Sequence, residues 1–473
     1  MSPDTIDGKE PGMFPAEHAA KGLSGETPSP AASREESTAG RCNANRPQLT
    51  YFNKSRRRFL QITGLSFAGL LLSDAAIGTP AKGALPSVRV DEALASALQD
   101  AGVQCVTHVP ASGATTVFDT YSRLRGETPR YAFNEELAYT MAHGAALAGT
   151  RSATVIKSHG LAKAANSVID SISIGTTAGF VAVVIDDPTG MHSDNIFDFD
   201  AFLRGTGIPF KAAGRDSICT DLIECFLWSE QLGIPVALSV ASELIFQKTG
   251  CERRRLRPPV ATFERDPLRH VLCPPLAAYQ HKVLGAKLAG TDWRKIAAPG
   301  IPVIPDSLPS AWRSAASRYV PLFEVFKEFR PRIPFVCGDT GLSSLFAFAP
   351  FACIDACSYY GGSLPMALGF QIGGYGRSWA VTGDYAFLAA GHMGLIEAHA
   401  RQIPLKVLIV DNGCARATGG QPIPPLVFEQ VLSGWNPFVS RIDDPEDGAA
   451  LRRLLDRAIR SDRIEIVSVK FRP

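Results

Sequence analysis

Val381-Thr-Gly-Asp-Tyr-Ala-Phe-Leu388 and Val407-Leu-Ile-Val-Asp-Asn-Gly413 are the two stretches that decide the fold of this 473-residue chain. The first apolar strand pattern ends in Gly383-Asp384 and the second in Asp411-Asn412, and a helical pattern lies between the two strands. The strands are therefore expected to run parallel and side by side. Because open α/β sheets bind ligands at their carboxyl edge, Asp384 and Asn412 should meet at such a site. A carboxylate and an amide oxygen are suited to Mg²⁺ that also binds the phosphates of a ligand.

The composition is that of an ordinary globular protein. With 45% hydrophobic and 20% charged residues, the chain has room for two or three domains. A net charge of +2 gives no argument for a nucleic-acid partner. The ten cysteines include no CxxC pair, and the closest two, Cys353 and Cys357, have no second pair or histidine nearby. We therefore expect small buried apolar side chains there, and not a metal site.

The first 87 residues have the pattern of a leader. Residues 1–54 are rich in Gly, Pro, Ser, Ala and Glu without apolar periodicity, which predicts disorder. Segment 55–87 begins with Ser55-Arg-Arg-Arg-Phe-Leu-Gln61 and an apolar run diluted by Gly and Ser. It resembles a twin-arginine export signal, and a basic tail before a short helix is the alternative. The run is too short for a stable membrane span, so we expect export to the periplasm if the signal acts and a cytoplasmic protein otherwise.

Residues 88–250 alternate strand and helix patterns, with Asp91 as a possible first N-cap. The strands are continuously apolar, which predicts a parallel sheet covered by helices on both faces. Tyr131 to Glu136 is interpreted as a short strand that turns into a helix of small residues. Glu135 at this turn is a candidate catalytic carboxylate, although Glu135 or Glu136 could simply favour the helix dipole. His159 follows a strand in a Ser-His-Gly turn, which is a pocket-lining position.

A basic, Pro-rich stretch opens segment 251–317, which is interpreted as a linker, and a second folded unit is expected over 318–473. In this unit a strand ends in Gly338-Asp-Thr-Gly341, and a glycine loop at 361–362 leads into a helix of small residues. Backbone N–H groups in such loops bind phosphates. Gly373-Gly-Tyr-Gly376 lacks the spacing of a dinucleotide fingerprint, so NAD or FAD is not expected.

Gly383-Asp384-Tyr385, followed by Asn412, resembles the metal–diphosphate motif of thiamine-diphosphate enzymes. The resemblance implies thiamine diphosphate and Mg²⁺, with Asp384 and Asn412 as side-chain ligands and Cys414 as a backbone-carbonyl ligand. Tyr385 stands where the motif usually has glycine. The segment 134–144 resembles the one that bears the cofactor-activating glutamate, so Glu135 would relay a proton to the aminopyrimidine. The predicted site comprises Glu135 and His159 as catalytic residues and, for cofactor binding, Gly338, Asp339, Gly361, Gly362, Ser363, Gly383, Asp384, Tyr385, Ala386, Asn412, Thr418 and Gly419.

The resemblance also implies the architecture. Two thiamine-diphosphate-binding-fold domains are expected in this α/β protein, each a parallel sheet with helices on both faces. The pyrimidine-binding domain would span 88–250 and the diphosphate-binding domain 318–473. Because the cofactor of this family bridges two subunits, a homodimer or a dimer of dimers is implied.

Two subfamilies compete for the reaction. Val109-Pro-Ala-Ser112 and Thr418-Gly-Gly-Gln421 resemble phosphonopyruvate and sulfopyruvate decarboxylases. Asp186-Asp-Pro188 and Gly338-Asp-Thr-Gly341 resemble the large subunit of indolepyruvate ferredoxin oxidoreductase. However, no cysteine follows Cys414, and Leu342 stands where the oxidoreductases carry cysteine. We therefore predict non-oxidative decarboxylation of a 2-oxoacid to an aldehyde and CO₂. The alternatives are an oxidoreductase subunit that uses an external electron acceptor and a cofactor-binding protein without catalysis.

The substrate is open at this stage. Lys157 and Arg416 lie near predicted strand ends and could form a cationic pocket for a phosphonate or sulfonate, or they could be surface charges. Phe133, Tyr359 and Tyr360 could equally line a pocket for an aryl pyruvate.

Overall fold

The computed structural model describes residues 87–259 and 261–471. The predicted leader (1–54) and all but the last residue of the predicted export segment (55–87) lie outside the described residues. Residues 87–471 fall into one compact unit, so the domain boundaries drawn from the sequence stay predictions. None of the described helices has the length and apolarity needed to cross a bilayer.

The first half of the described chain forms a five-stranded parallel sheet with strand order β2-β3-β4-β6-β5. Its central strand, β4, is buried from Phe180 to Ile185 and is apolar throughout, as expected for a sheet with both faces covered. A short antiparallel pair, β1 and β7, flanks the sheet. The strands are β1 (Ser87–Arg89), β2 (Cys105–His108), β3 (Ser152–Lys157), β4 (Phe180–Asp186), β5 (Phe210–Ala212), β6 (Val236–Ala241) and β7 (Lys248–Gly250).

The helices of this half begin and end as follows: α1 (Val90–Asp100), α2 (Ala114–Arg125), α3 (Glu135–Leu147), α4 (Ser158–Lys163), α5 (Ala165–Ile174), α6 (Phe199–Thr206) and α7 (Ile218–Leu232).

Two local predictions in this half were wrong. The N-cap of α1 is Arg89, and Asp91 lies in the first turn, where its carboxylate accepts hydrogen bonds from the Arg89 guanidinium. Residues 131–134 form no strand, because their main chain is held by single hydrogen bonds and not by a ladder.

The segment after β7 contains three helices, α8 (Pro267–His270), α9 (Pro274–Leu288) and α10 (Ser310–Ser317). Leu276 and Val283 of α9 are buried, so this segment packs on the rest of the chain instead of running free as a linker.

The second half contains a six-stranded parallel sheet with strand order β14-β15-β11-β10-β8-β9. As predicted, β10 and β11 are parallel neighbours, with Gly383 of one paired to Val410 of the other. The strands of this half, with the small hairpin β12–β13, are β8 (Val336–Asp339), β9 (Ala356–Ser358), β10 (Trp379–Gly383), β11 (Lys406–Asp411), β12 (Cys414–Ala415), β13 (Gln421–Pro422), β14 (Val439–Ile442) and β15 (Glu465–Lys470).

Its helices are α11 (Val320–Phe329), α12 (Ser363–Ile372), α13 (Asp384–Ala386), α14 (His392–Arg401), α15 (Pro425–Ser433) and α16 (Gly448–Arg460). A π-helical turn, Phe387–Gly391, joins α13 to α14, so a continuous helical run extends from Asp384 to Arg401. The predicted fold class, α/β with parallel sheets flanked by helices, is confirmed.

The two halves meet where α3 crosses α12. At this crossing a Cβ added to Gly144 would overlap the backbone carbonyl of Met366, and one added to Gly369 would overlap that of Met141. Only hydrogen atoms at both positions allow the two backbones to approach this closely. The small residues of these helices therefore serve a contact within one chain.

The described cysteines differ in their state. Cys353 and Cys357 are free and buried, as predicted. Cys219 of α7 and Cys251, which directly follows β7, form a disulfide across 32 positions. Nothing in the sequence pattern indicated that pairing.

Candidate functional site

A cavity of about 370 Å³ lies at the carboxyl ends of β8, β10 and β11. This is the position where an α/β sheet binds ligands, since the chain runs from β8 to β9 on one side and then crosses to β10 on the other. Seven predicted site residues line the cavity: Gly383, Asp384, Tyr385, Ala386, Asn412, Cys414 and Thr418. The others, Glu135, His159, Gly338, Asp339, Gly361, Gly362, Ser363 and Gly419, do not.

Asp384 connects the two strand ends that form the cavity wall. Its carboxylate accepts hydrogen bonds from the backbone N–H groups of Tyr385 (2.8 Å), Asn412 (3.0 Å) and Gly413 (2.5 Å). The side chain is buried, and this burial raises the pKa of Asp384 to about 7 despite the three hydrogen bonds. A divalent cation beside the carboxylate would favour its charged form.

Asn412 is held in one orientation by both ends of its amide. Its Oδ1 accepts a hydrogen bond from the backbone N–H of Cys414 (3.1 Å), and its Nδ2 donates to the Tyr319 hydroxyl (2.9 Å). Tyr319 also lines the cavity and was missed by the sequence analysis. It lies just before α11, far from any motif in the chain, so no local pattern could have indicated it.

The residues around this cavity fit a metal–diphosphate group. Asp384 and Asn412 bring hard oxygen donors to one cavity wall, which is the chemistry Mg²⁺ prefers. One polar atom of a cavity-lining residue, Arg416 Nε, is buried without a hydrogen-bond partner. A buried donor without a partner is costly unless a ligand accepts its hydrogen bond, and phosphate oxygens would do so.

Behind the cavity wall, Asp339 connects the glycine loop to β10. Its carboxylate accepts hydrogen bonds from the backbone N–H of Ser363 (2.8 Å) and from the Thr382 hydroxyl. The residue is only 1% exposed. Because Asp339 does not line the cavity and both of its carboxylate oxygens accept hydrogen bonds, it supports the cavity wall from behind, and its burial raises its pKa from 3.8 to about 6.

The raised pKa predicts a specific pH dependence of stability. Folding favours the protonated form of Asp339, so this contribution is complete below about pH 4 and is lost as the pH rises through the folded-state pKa of about 6. The variant Asp339→Asn keeps an acceptor for Ser363 and does not titrate. Its free energy of unfolding, relative to the natural protein, should rise by about 3 kcal/mol between about pH 4 and pH 7. Urea unfolding across this range measures the difference, and a flat difference would contradict the assignment.

The predicted glycines outside the cavity have packing roles. Gly361 has φ +90°, and a Cβ there would lie 2.7 Å from Ala390 Cβ and 2.8 Å from the backbone nitrogen of Gly391. Glycine at 361 thus lets the loop contact the π-helical turn. A Cβ at Gly362 would lie 2.7 Å from the Tyr359 ring, and one at Gly338 would lie 2.9 Å from Ile354.

Glu135 is the first residue of α3, and it belongs to a second polar group that includes Lys163 and His159. Asn134 caps this helix by accepting hydrogen bonds from Glu136 N (2.9 Å) and Leu137 N (3.2 Å). The Glu135 side chain is 21% exposed, and its Oε2 lies 2.8 Å from Lys163 Nζ. Close beside it, a Cβ at Gly160 would lie 2.9 Å from Glu135 Cγ.

This second group also contains a buried polar atom that has no hydrogen-bond partner. His159 Nδ1 is buried without a hydrogen-bond partner, while His159 Nε2 lies 2.5 Å from Asn195 Oδ1. Glu136 has a different environment from Glu135. It hydrogen bonds with Asn166 and Ser167, and its burial raises its pKa.

Lys157 and Arg416, the two side chains considered for a cationic substrate pocket, also lie in different parts of the structure. Lys157 Nζ donates to the backbone carbonyl of His192 and lies 3.9 Å from the buried carboxylate of Asp187. Asp187 in turn accepts hydrogen bonds from His192 N (2.7 Å) and Ser193 Oγ (2.7 Å). Lys157 therefore orders the loop after β4, whereas Arg416 lines the cavity.

Comparison with known proteins agrees with this geometry. Residues 339–463, which supply most of the cavity wall, match the family described as thiamine pyrophosphate enzyme, C-terminal TPP binding domain. The resemblance to thiamine-diphosphate enzymes is confirmed. The matched residues include Asp384 and Asn412, the two side chains on which the resemblance was based.

The curated relatives share one name, indolepyruvate oxidoreductase subunit IorA. The protein of Methanothermobacter thermautotrophicus is 27% identical over 204 residues, which is 42% of this chain and 33% of the relative. That of Archaeoglobus fulgidus is 30% identical over 156 residues, which is 31% of this chain and 25% of the relative. The chain thus spans no more than about a third of the length of these relatives.

A solved structure shares the fold. It is described as a thiamin diphosphate-dependent enzyme from Mycobacterium smegmatis, and it matches with a TM-score of 0.54 over 82% of this chain and 100% of the other. The identity is 14%, so this likeness shows the fold alone.

Proposed function

We propose that this chain is a thiamine-diphosphate- and Mg²⁺-dependent enzyme that decarboxylates a 2-oxoacid. The observation that carries the proposal is the cavity in which Asp384 and Asn412 meet within the matched residues 339–463. A cofactor-binding protein without catalysis is the alternative, and it would be favoured if Glu135 did not reach the pyrimidine of the cofactor.

Each residue of the site has a role in this proposal. The side-chain oxygens of Asp384 and Asn412, with the carbonyl oxygen of Cys414, would hold Mg²⁺, and Arg416 would face the diphosphate or an acidic substrate group. When bound, thiamine diphosphate supplies a nucleophilic carbon and an electron sink for loss of the carboxylate. Glu135 would hold and move the proton at the aminopyrimidine nitrogen.

The separation of the two groups within one chain supports a proposal about the assembly. Glu135 and His159 do not line the cavity that contains Asp384. We therefore propose that a second copy supplies them, in a homodimer or a dimer of dimers. This arrangement would also cover Phe133, Tyr360 and Tyr385, which are 67%, 52% and 47% exposed in the single chain.

Two fates of the electrons released by decarboxylation are supported by different observations. The first is protonation to an aldehyde, and it is favoured by Leu342. This residue lines the cavity, and by the resemblance it stands at the position where the oxidoreductases carry cysteine. The second is transfer of two electrons to an external acceptor, with the acyl group released to water or to an added thiol. It is favoured by the relatives, which are named as oxidoreductase subunits. The relatives give the second fate the stronger support.

One assay tests the proposal and separates these fates. The protein is incubated with thiamine diphosphate, Mg²⁺ and a panel of indolepyruvate, phosphonopyruvate and sulfopyruvate, with and without a viologen acceptor. Release of CO₂ without acceptor identifies the non-oxidative reaction, and release that requires the viologen identifies the oxidative one. No release from any 2-oxoacid under either condition would count against the proposal.

Replacement of Asp384 tests the proposed metal site directly. Asp384→Asn keeps the shape of the side chain but removes its charge, so Mg²⁺-dependent binding of thiamine diphosphate should weaken by tenfold or more, about 1.4 kcal/mol. Calorimetric titration with and without Mg²⁺ measures the effect. Asp462→Asn is the control, since Asp462 is an exposed partner of Arg377. Equal affinities of all three proteins would remove Asp384 from the metal site.

A further inference from the structure

The segment that leads into Glu135 is attached to the opposite half of the chain. Glu397 of α14 is 1% exposed, and its Oε1 accepts a hydrogen bond from the backbone N–H of Phe133 (2.8 Å). Its Oε2 accepts one from Arg401 Nε (2.9 Å). Arg401 in turn donates to the carbonyl of Arg130 (3.4 Å), and Arg130 donates back to the carbonyl of Arg401 (3.3 Å).

These bonds fix the main chain residue by residue. The backbone N–H of Ala132 donates to the carbonyl of His108 at the end of β2 (2.8 Å), and that of Phe133 donates to Glu397. Asn134 then caps α3, and its Nδ2 lies 3.8 Å from Met393 Sδ, also on α14. The start of α3 is therefore held from both halves of the chain.

A buried carboxylate is an expensive way to satisfy one backbone N–H group, because it must lose its hydration. Glu397 offsets that cost with the Arg401 guanidinium, whose side chain is 10% exposed. The pair belongs to the helical run that begins at Asp384, so one helix carries the proposed metal ligand at its start and this contact near its end.

We propose that Glu397, supported by Arg401, is a positioning residue for Glu135. The pair fixes the position and orientation of the first turn of α3, and these in turn fix the position of the Glu135 carboxylate. The proposal rests on the proposed function, because it concerns the proton held by Glu135. Glu397 itself touches neither the cavity nor Glu135 in the described residues.

The test compares Glu397→Ala with Glu397→Gln, in which the amide oxygen can still accept from Phe133. The matched control is Glu328→Ala, which removes an exposed partner of Arg452. Amide hydrogen exchange of the cofactor-free protein is followed in peptides that cover 130–137 and in the rest of the chain. Deuterium exchange at the thiazolium C2 of added thiamine diphosphate, with Mg²⁺ present, reports the action of Glu135 without any 2-oxoacid.

For Glu397→Ala we expect amide exchange at 130–137 to rise about tenfold or more, with the rest of the chain unchanged. The rate of C2 exchange should fall about tenfold at saturating cofactor, while the Kd for thiamine diphosphate is kept. Glu397→Gln should restore most of both values, and Glu328→Ala should match the natural protein.

Three results would overturn the proposal: unchanged amide exchange at 130–137, a rise spread evenly over the whole chain, or a local rise without any change at C2. If the natural protein itself failed to accelerate C2 exchange, the proposed function would fall and Glu397 would have no reaction to support. The amide exchange would still show independently whether Glu397 holds the segment.

Discussion

Glu135→Gln is expected to lower turnover by about 10²- to 10⁴-fold, which is the usual contribution of a positioned acid–base group. Glutamine has nearly the same shape and keeps a carbonyl oxygen, but it cannot exchange a proton with the aminopyrimidine. Binding of thiamine diphosphate and Mg²⁺ should persist, because the metal–diphosphate group would be held by Asp384 and Asn412, which the substitution leaves unchanged. Steady-state kinetics and calorimetric titration of the same preparation would measure both effects.

The adjacent Glu136 provides the matched control. It has the same chemistry one position further along, but it is bonded to Asn166 and Ser167. Glu136→Gln should therefore change turnover by much less than Glu135→Gln. Retained turnover in Glu135→Gln, or an equal loss in both variants, would remove Glu135 from the mechanism.

Gly369→Ala should produce the largest loss of stability among these substitutions, at more than about 3 kcal/mol in the free energy of unfolding. The added Cβ would overlap the backbone carbonyl of Met141 and lie 2.8 Å from Gly144 Cα. Backbone atoms cannot move aside as a side-chain end can, so α3 and α12 would have to separate.

The sign of this effect is informative, because a Gly→Ala change inside an unobstructed helix normally stabilises by about 1 kcal/mol. Gly285→Ala in α9 is the control, since no atom lies within 4 Å of a Cβ at that position. Urea unfolding of both variants should give opposite signs. A neutral Gly369→Ala would mean that the two halves do not pack as closely as described.

The parts of the fold that were predictable are those set by local pattern. The apolar run 407–410 and the residues at each strand end defined β10, β11 and their shared edge, because burial of both sheet faces requires continuous apolar strands. Asp384 and Asn412 could be placed together from that register alone. The fold class followed from the alternation of apolar strands and helices, and the resemblance to the cofactor family rested on Gly383-Asp384-Tyr385 with Asn412 and on segment 134–144.

The parts that failed depend on partners distant in the chain. Residues 131–134 have the composition of a strand, but Phe133 finds its hydrogen-bond partner 264 positions later, at Glu397. Tyr319 reaches Asn412 across 93 positions in the same way. The Asp339 carboxylate looked like a ligand-facing group at a strand end, and only its contacts with Ser363 and Thr382 show that it faces inward.

The Cys219–Cys251 disulfide bears on the order of events during biogenesis. If the segment around Arg56 directs export by the twin-arginine route, which carries folded proteins, the chain must fold in a reducing compartment before this bond can form. Both cysteines would then remain reduced in the folded protein until export, and formation of the disulfide afterwards would add about 3–4 kcal/mol to the free energy of unfolding. The bond would tie α7 to the end of β7, and β7 pairs with β1 at Ser87. The oxidation state of two atoms would thus record whether a given molecule has been exported.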